Sequence, residues 1–274
     1  MRAVSTVLDV SLFLLLVSAA VGTLVLANPP EPTETDADET AELLASSTLS
    51  VEYDIRGETR RAHGTMGSLL ARAATADASM NGRPLSSMDG SFRETVRTGV
   101  RERLAAPNRT RVVARWWPYR GAPLGGTVTV GPTPPPGTDV HTATVSVPAP
   151  VQDSAPAAVA AESAVGRYDA VARTVAAAVA DGLLPENRVD ASAVRESPTA
   201  IASAHRYRAV GRATDADVTG PLAAGAVETA HERAVDGLTA ALAEDMREQF
   251  ETPASAADAV RTGTVRITVR RWKA

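Results

Sequence analysis

Four histidines are the first place to look for chemistry in a chain without cysteine. His63, His141, His205 and His231 lie far apart, and no two share the short spacing by which a helix or loop offers a metal two ligands. His231-Glu232 opens like the zinc-protease motif, but Val235 stands where the second histidine belongs. His231 therefore reads as an ordinary helix-face residue. No Gly-x-Ser-x-Gly elbow and no phosphate loop ending in Gly-Lys-Ser/Thr is present. Lys273, next to the C-terminus, is the only lysine, which argues against Ser–Lys catalysis. Carboxylates are plentiful, but spacing singles out no pair of them. The expectation is a protein that is not an enzyme, with no metal and no cofactor.

The residues that do cluster are basic and aromatic. Arg111, Arg115 and Trp117 alternate along one segment, and Arg266, Arg270, Arg271 and Trp272 close the chain in another. On one side of a sheet they would form a cationic face for an acidic partner or a glycan. The plainer reading is a solvated outer face whose arginine stems cover the strands. Asn108-Arg109-Thr110 is the one glycosylation sequon, placed in a helix-to-strand loop.

The elements that must position these residues are legible as periodicities. Leu49, Val51, Tyr53 and Ile55 alternate with polar residues as a strand, and Thr59 to His63 return as a second. A helix is expected over 66–78, broken at Asn81-Gly82-Arg83-Pro84. Ser91 and Glu94 have the spacing of a capping box, and Phe92, Val96, Val100 and Leu104 then form one apolar helix face. Strands follow at 109–117, 125–130 and 139–147, the last two joined by a stiff Pro-rich loop. Beyond Pro148 the chain becomes Ala-rich. Helices are expected over 155–181, over 198–213 behind Ser197-Pro198, from Gly220-Pro221 to about Phe250, and in a short segment capped by Ser255. Val265, Ile267 and Val269 mark a terminal strand that needs a sheet to join. Val96-Arg97-Thr98-Gly99 and Val260-Arg261-Thr262-Gly263 hint at a helix-strand duplication. The expected fold is α+β: an N-terminal transmembrane helix, then an exterior domain with a mostly antiparallel sheet, Ala-rich helices and a returning C-terminal strand.

The N-terminus sets the location. Val7 to Ala27 is apolar apart from Asp9, Ser11, Ser18 and Thr23, and about 20 such residues cross a bilayer. Arg2 precedes the run, and acidic residues with Pro29, Pro30 and Pro32 follow it. The basic side stays in the cytoplasm, so the bulk of the chain is expected outside a single-pass anchor. The domain expectation is a membrane segment over 1–27, an acidic Pro/Thr-rich linker over 28–46, and an exterior domain over 47–274. The run is longer than an ordinary cleaved signal core.

Arg2-Ala3-Val4-Ser5-Thr6-Val7 leading directly into an apolar helix resembles the N-termini of archaeal type IV pilins, particularly those of haloarchaea. The resemblance covers about the first 25 residues. Thr6 departs from the usual proline and Asp9 from the usual small residue. It implies cleavage by a prepilin peptidase between Ala3 and Val4, with the apolar helix retained. It also implies other pilin-like or pilus-assembly proteins as partners. Asp9 would be the sixth residue after the cut, close to but not on the place where an acidic residue of bacterial pilins pairs with a neighbouring subunit; the plainer reading puts it at headgroup depth. Ser18, Ala19 and Gly22 give the helix small surfaces for close packing. With an Arg-rich, Lys-poor composition it suggests a halophilic archaeon. A net charge of −4 gives no reason to expect nucleic acid. The expected role is a membrane-anchored pilin-like accessory protein of the cell envelope, or a plain signal-anchored surface protein whose exterior domain binds a partner.

Overall fold

The computed structural model describes residues 36–55, 57–85, 90–184 and 198–273. Ala3, Val4, Asp9, Ser18 and Gly22, and the whole apolar run that carries them, lie outside the described residues. Among the described residues no helix is long and apolar enough to cross a membrane.

The compact unit begins at Asp36, earlier than the linker expectation placed it. Helix α1 spans Asp36–Ser46. Asp36, Asp38 and Glu39 in its first turn suit the positive end of the helix dipole. Ala37, Ala41 and Leu44 are buried on one stripe. The 28–46 linker therefore loses its second half to the core. The acidic composition suggested solvated coil, yet the apolar spacing beneath it is helical.

Strands β1 (Thr48–Ile55) and β2 (Glu58–Thr65) form a separate antiparallel hairpin. Helix α2 (Met66–Ala76) follows, capped by the Thr65 hydroxyl, which accepts from the Ser68 amide at 3.1 Å. The Asn81-Gly82 break is a tight hairpin between β3 (Ser79–Met80) and β4 (Arg83–Pro84), with both turn residues at positive φ. Helix α3 (Gly90–Arg103) buries Phe92, Val96 and Val100, and Leu104 just past its end is buried with them, as their spacing required. Ser91 does not cap it. The helix already includes Gly90, and the Ser91 hydroxyl donates to the Asp54 carbonyl at 2.6 Å instead.

Strands β5 (Thr110–Trp116), β6 (Leu124–Val130), β7 (Val140–Pro148) and β8 (Thr264–Trp272) complete a six-stranded sheet in the order β4-β3-β6-β5-β8-β7, antiparallel throughout. The terminal strand does return to the sheet, between β5 and β7. The loop after β6 carries the chain across the sheet, so β6 and β7 are not neighbours.

Between β7 and β8 the described residues form helices and their connections, with no strand. The single helix expected over 155–181 is two, α4 (Ala155–Val165) and α5 (Tyr168–Leu183), parted at Gly166 with φ of 65°. This left-handed C-terminal residue ends α4 and leaves Val165 57% exposed, where periodicity had put it on a buried face. Helix α6 spans Pro198–Thr214. Gly220-Pro221 starts only a short turn, α7 (Thr219–Ala223). The long helix α8 (Val227–Gln249) buries Leu238, Leu242 and Met246. Helix α9 (Pro253–Ala259) is capped by Thr252, with Ser255 as the reciprocal member of the capping box rather than the cap itself. Val96–Gly99 lies inside α3, whereas Val260–Gly263 follows α9 as a turn. The suspected duplication is a coincidence of composition.

Helices α1 and α2 cover one face of the large sheet. The approach is close: a Cβ on Gly126 of β6 would lie 1.9 Å from the Ala74 carbonyl oxygen of α2. Val112, Ala114 and Trp116 of β5 and Val265, Ile267 and Val269 of β8 point into this interface and are all buried. The helical insertion is tied to the end of the sheet by polar contacts. Trp116 Nε1 donates to the Thr262 carbonyl at 2.8 Å, and the Tyr119 hydroxyl donates to Asp245 at 2.7 Å. Burial first, and then this hydrogen bond, hold the Tyr119 hydroxyl well above the usual tyrosine range.

Candidate functional site: the outer face of the sheet

Strand alternation decides which arginines share a face. In β5 the residues between the buried Val112, Ala114 and Trp116 are Arg111, Val113 and Arg115. In β8 the residues between Val265, Ile267 and Val269 are Arg266, Thr268 and Arg270. Because the strands are antiparallel neighbours, Arg115 lies directly opposite Arg266, and Arg111 opposite Arg270. The flanking strands add Thr127 and Thr129 from β6 and Thr142, Thr144 and Ser146 from β7. The result is two arginine pairs about 13 Å apart along the strands, separated by Val113 and Thr268 and edged by hydroxyls.

Like charges placed directly opposite in a sheet are destabilising. Here no carboxylate offsets them within the face. Among the described residues, none of these four arginines has a carboxylate within ion-pair distance. Arg111 is held instead by the Thr133 hydroxyl. Some other surface arginines are paired, Arg173 with Asp236, Arg233 with Asp217 and Arg247 with Asp169, but none of these lies on the outer face. The outer face therefore concentrates uncompensated positive charge on a protein of net charge −4.

At one end the face is concave. Arg115, Trp117, Arg120, Gly121, Arg266 and Thr268 line a depression of about 430 Å³. The Arg266 guanidinium lies 5.9 Å from the centre of the Trp117 ring, a cation–π contact that orients both. At Gly125 of β6 the backbone comes close to the end of β5: a Cβ there would lie 2.9 Å from the Trp116 carbonyl oxygen and 3.5 Å from the Trp117 Cβ. Gly121 sits at φ of 86°, where a side chain would also meet Gln249.

The structure thus brings together Arg111, Arg115, Trp117, Arg266 and Arg270. It removes two residues from the expected face. Arg271 points to the other side, donating to the Asp36 carbonyl at 3.1 Å with its second nitrogen 3.8 Å from the Asp36 carboxylate. Trp272 is buried and offers no open ring. Arg120 was not anticipated, because it lies beyond the strand in an irregular loop where alternation gives no guidance. Asn108 is exposed in a 3-10 turn, Pro107–Arg109, where its side-chain oxygen accepts from Arg101 at 3.4 Å.

The histidines do not converge. Among the described residues no three His, Asp or Glu side chains are grouped to hold a metal ion. His231 is nevertheless more than a helix-face residue. It is buried, with Nδ1 3.0 Å from the Tyr207 hydroxyl and Nε2 3.3 Å from Asp181. Tyr207 is wholly buried and also donates to the Leu184 carbonyl at 2.9 Å. A tyrosine sealed in the core cannot meet a substrate, so this cluster serves to pin α5, α6 and α8 together. Its signal in the sequence was faint: a tyrosine and a histidine on two helices, with nothing to show that they meet.

No curated protein and no solved structure shows significant similarity to the chain. A family model does match it from Leu8, inside the apolar N-terminal run, to Trp272 in the last strand. The chain belongs to DUF7284, a family of unknown function.

Proposed function

We propose that this protein is a non-enzymatic, membrane-anchored, pilin-like accessory protein of the cell envelope, whose folded domain docks an anionic partner through the outer face of its sheet. The observation that carries the docking role is the set of two opposed arginine pairs without carboxylate partners. A face of that kind costs stability on its own and is relieved when an anion is bound. The anchoring role rests on the apolar run from Val7 to Ala27, most of which lies within the family match. Small residues Ser18, Ala19 and Gly22 suit helix–helix packing in a membrane. The pilin-like character rests on Arg2 to Val7 and the apolar run that follows them.

Mass spectrometry of the mature N-terminus in the membrane fraction tests the reading. A start at Val4, lost when the prepilin peptidase gene is deleted, is the expected result. A start at Met1 or Arg2 would remove the pilin-like character. That outcome would leave a signal-anchored surface protein with the same docking face, the reading that the departures at Thr6 and Asp9 favour.

A further inference from the structure

We infer that the anion recognised by this face is a carboxylated polysaccharide, a chain of acidic sugars lying along β5 and β8. The inference rests on the docking role proposed above and names its ligand. Three features select a glycan over a protein or a nucleic acid. First, across the stretch from Arg111 to Arg115 and the residues paired with it on β6, β8 and β7, the outward positions other than Val113 are arginines, threonines and a serine; the apolar Val140 and the buried Trp272 share this side only beyond Arg270, and Pro148 only beyond Arg266. A protein partner would need a desolvated apolar anchor at the centre of its footprint, and here the centre is Val113 beside Thr268. A row of hydroxyls instead matches a ligand that is itself covered with hydroxyls.

Second, the charges come as pairs along a line. Arg115 with Arg266, and Arg111 with Arg270, each present two guanidinium forks, which bind carboxylates in a bidentate manner. Their separation of about 13 Å along the strands suits a linear polymer that carries charge at intervals. Third, Trp117 borders the concavity at one arginine pair and is half-exposed there. An aromatic face with polar groups around it can stack on the apolar C–H face of a sugar ring, while Arg115 and Arg266 take its carboxylate and Thr268 a hydroxyl.

The test uses the full-length chain in detergent and measures binding by titration calorimetry. The probes are polygalacturonate, neutral dextran, poly-L-glutamate and oligodeoxythymidylate. The expected result is that polygalacturonate binds at least tenfold more tightly than poly-L-glutamate or the oligonucleotide, with no binding of dextran. Arg115→Thr/Arg266→Thr should weaken polygalacturonate binding at least tenfold. Arg167→Thr/Arg212→Thr, which removes the same charge elsewhere on the surface, should leave it within twofold. Trp117→Ala should weaken polygalacturonate binding several-fold and leave any binding of poly-L-glutamate unchanged.

Equal binding of all three polyanions, with Trp117→Ala indifferent, would overturn the sugar inference and leave a general anion-docking face. Tighter binding of poly-L-glutamate or of the oligonucleotide would replace the glycan with an acidic protein or a nucleic acid. Absence of binding to every polyanion, or binding insensitive to Arg115→Thr/Arg266→Thr, would overturn both the inference and the docking role beneath it.

Discussion

The two faces of the central strands are made from alternate residues of the same short segments, and they follow opposite rules. On the inner face, Val112, Ala114, Trp116, Val265, Ile267 and Val269 are essentially inaccessible and lie under α1 and α2. On the outer face, Arg111, Arg115, Arg266 and Arg270 are opposed in pairs with no counter-charge among the described residues. The inner face holds the fold together because apolar area leaves water there. The outer face adds nothing comparable and carries a modest repulsion. Residues that contribute little to stability, yet are arranged by the strand register into a regular array, are better explained by what they meet than by what they support.

Neighbouring residues on opposite faces give the sharpest contrast. Trp116→Ala should have the largest effect. It removes a fully buried ring and its hydrogen bond to the Thr262 carbonyl, and should cost about 3–5 kcal/mol in chemical denaturation. A loss below about 1 kcal/mol would mean that the inner face is not the core. Tyr119→Phe comes next, at about 1–2 kcal/mol, because it removes the buried hydroxyl's bond to Asp245, which keeps only the Gln249 amide as a donor.

Tyr119 also gives the comparison a pH signature. Its proton is held above the usual tyrosine value, so above about pH 10 the unfolded chain releases it while the folded chain keeps it. The stability this contributes is present below that pH and declines above it, by up to about 1.4 kcal/mol per pH unit. The phenylalanine variant should therefore lose stability less steeply in alkaline solution. Equal alkaline slopes for the two proteins would refute the shifted hydroxyl.

Thr252→Ala removes the capping box of α9 and should cost about 1 kcal/mol, read as a lower denaturation midpoint. Serine at the same position should retain most of the stability. The smallest effect should be at the outer face. Arg115→Thr should change stability by no more than about 0.5 kcal/mol. The change should be in the stabilising direction and clearest at low salt, where the repulsion with Arg266 is least screened. A loss of more than about 2 kcal/mol from this variant would erase the distinction between the faces.

The regular elements were legible because their signals are local. The alternation of Val265, Ile267 and Val269 and the four-residue recurrence of Phe92, Val96, Val100 and Leu104 follow from backbone geometry alone. Where two local signals competed, composition misled. Acidic residues masked the buried stripe of α1, and a continuous Ala-rich run hid the break at Gly166. Ser91 and Ser255 have the residue type of a cap, but whether a hydroxyl caps depends on where the helix starts, and tertiary contacts set that start.

By itself, the sequence determined the fold class, the alternation that puts arginine opposite the core in β5 and β8, and an apolar N-terminal run long enough for a membrane. Those follow from periodicity, length and residue type. Only the tertiary structure decided that β8 pairs with β5, which sets Arg115 against Arg266 although the two are far apart in the chain. The fold also sets the start of α1 beside the end of β8, where Arg271 meets Asp36, and it buries Trp272. Register between strands distant in sequence is chosen by which apolar residues fit beneath α1 and α2. The charges on the opposite face are carried to their places by that choice.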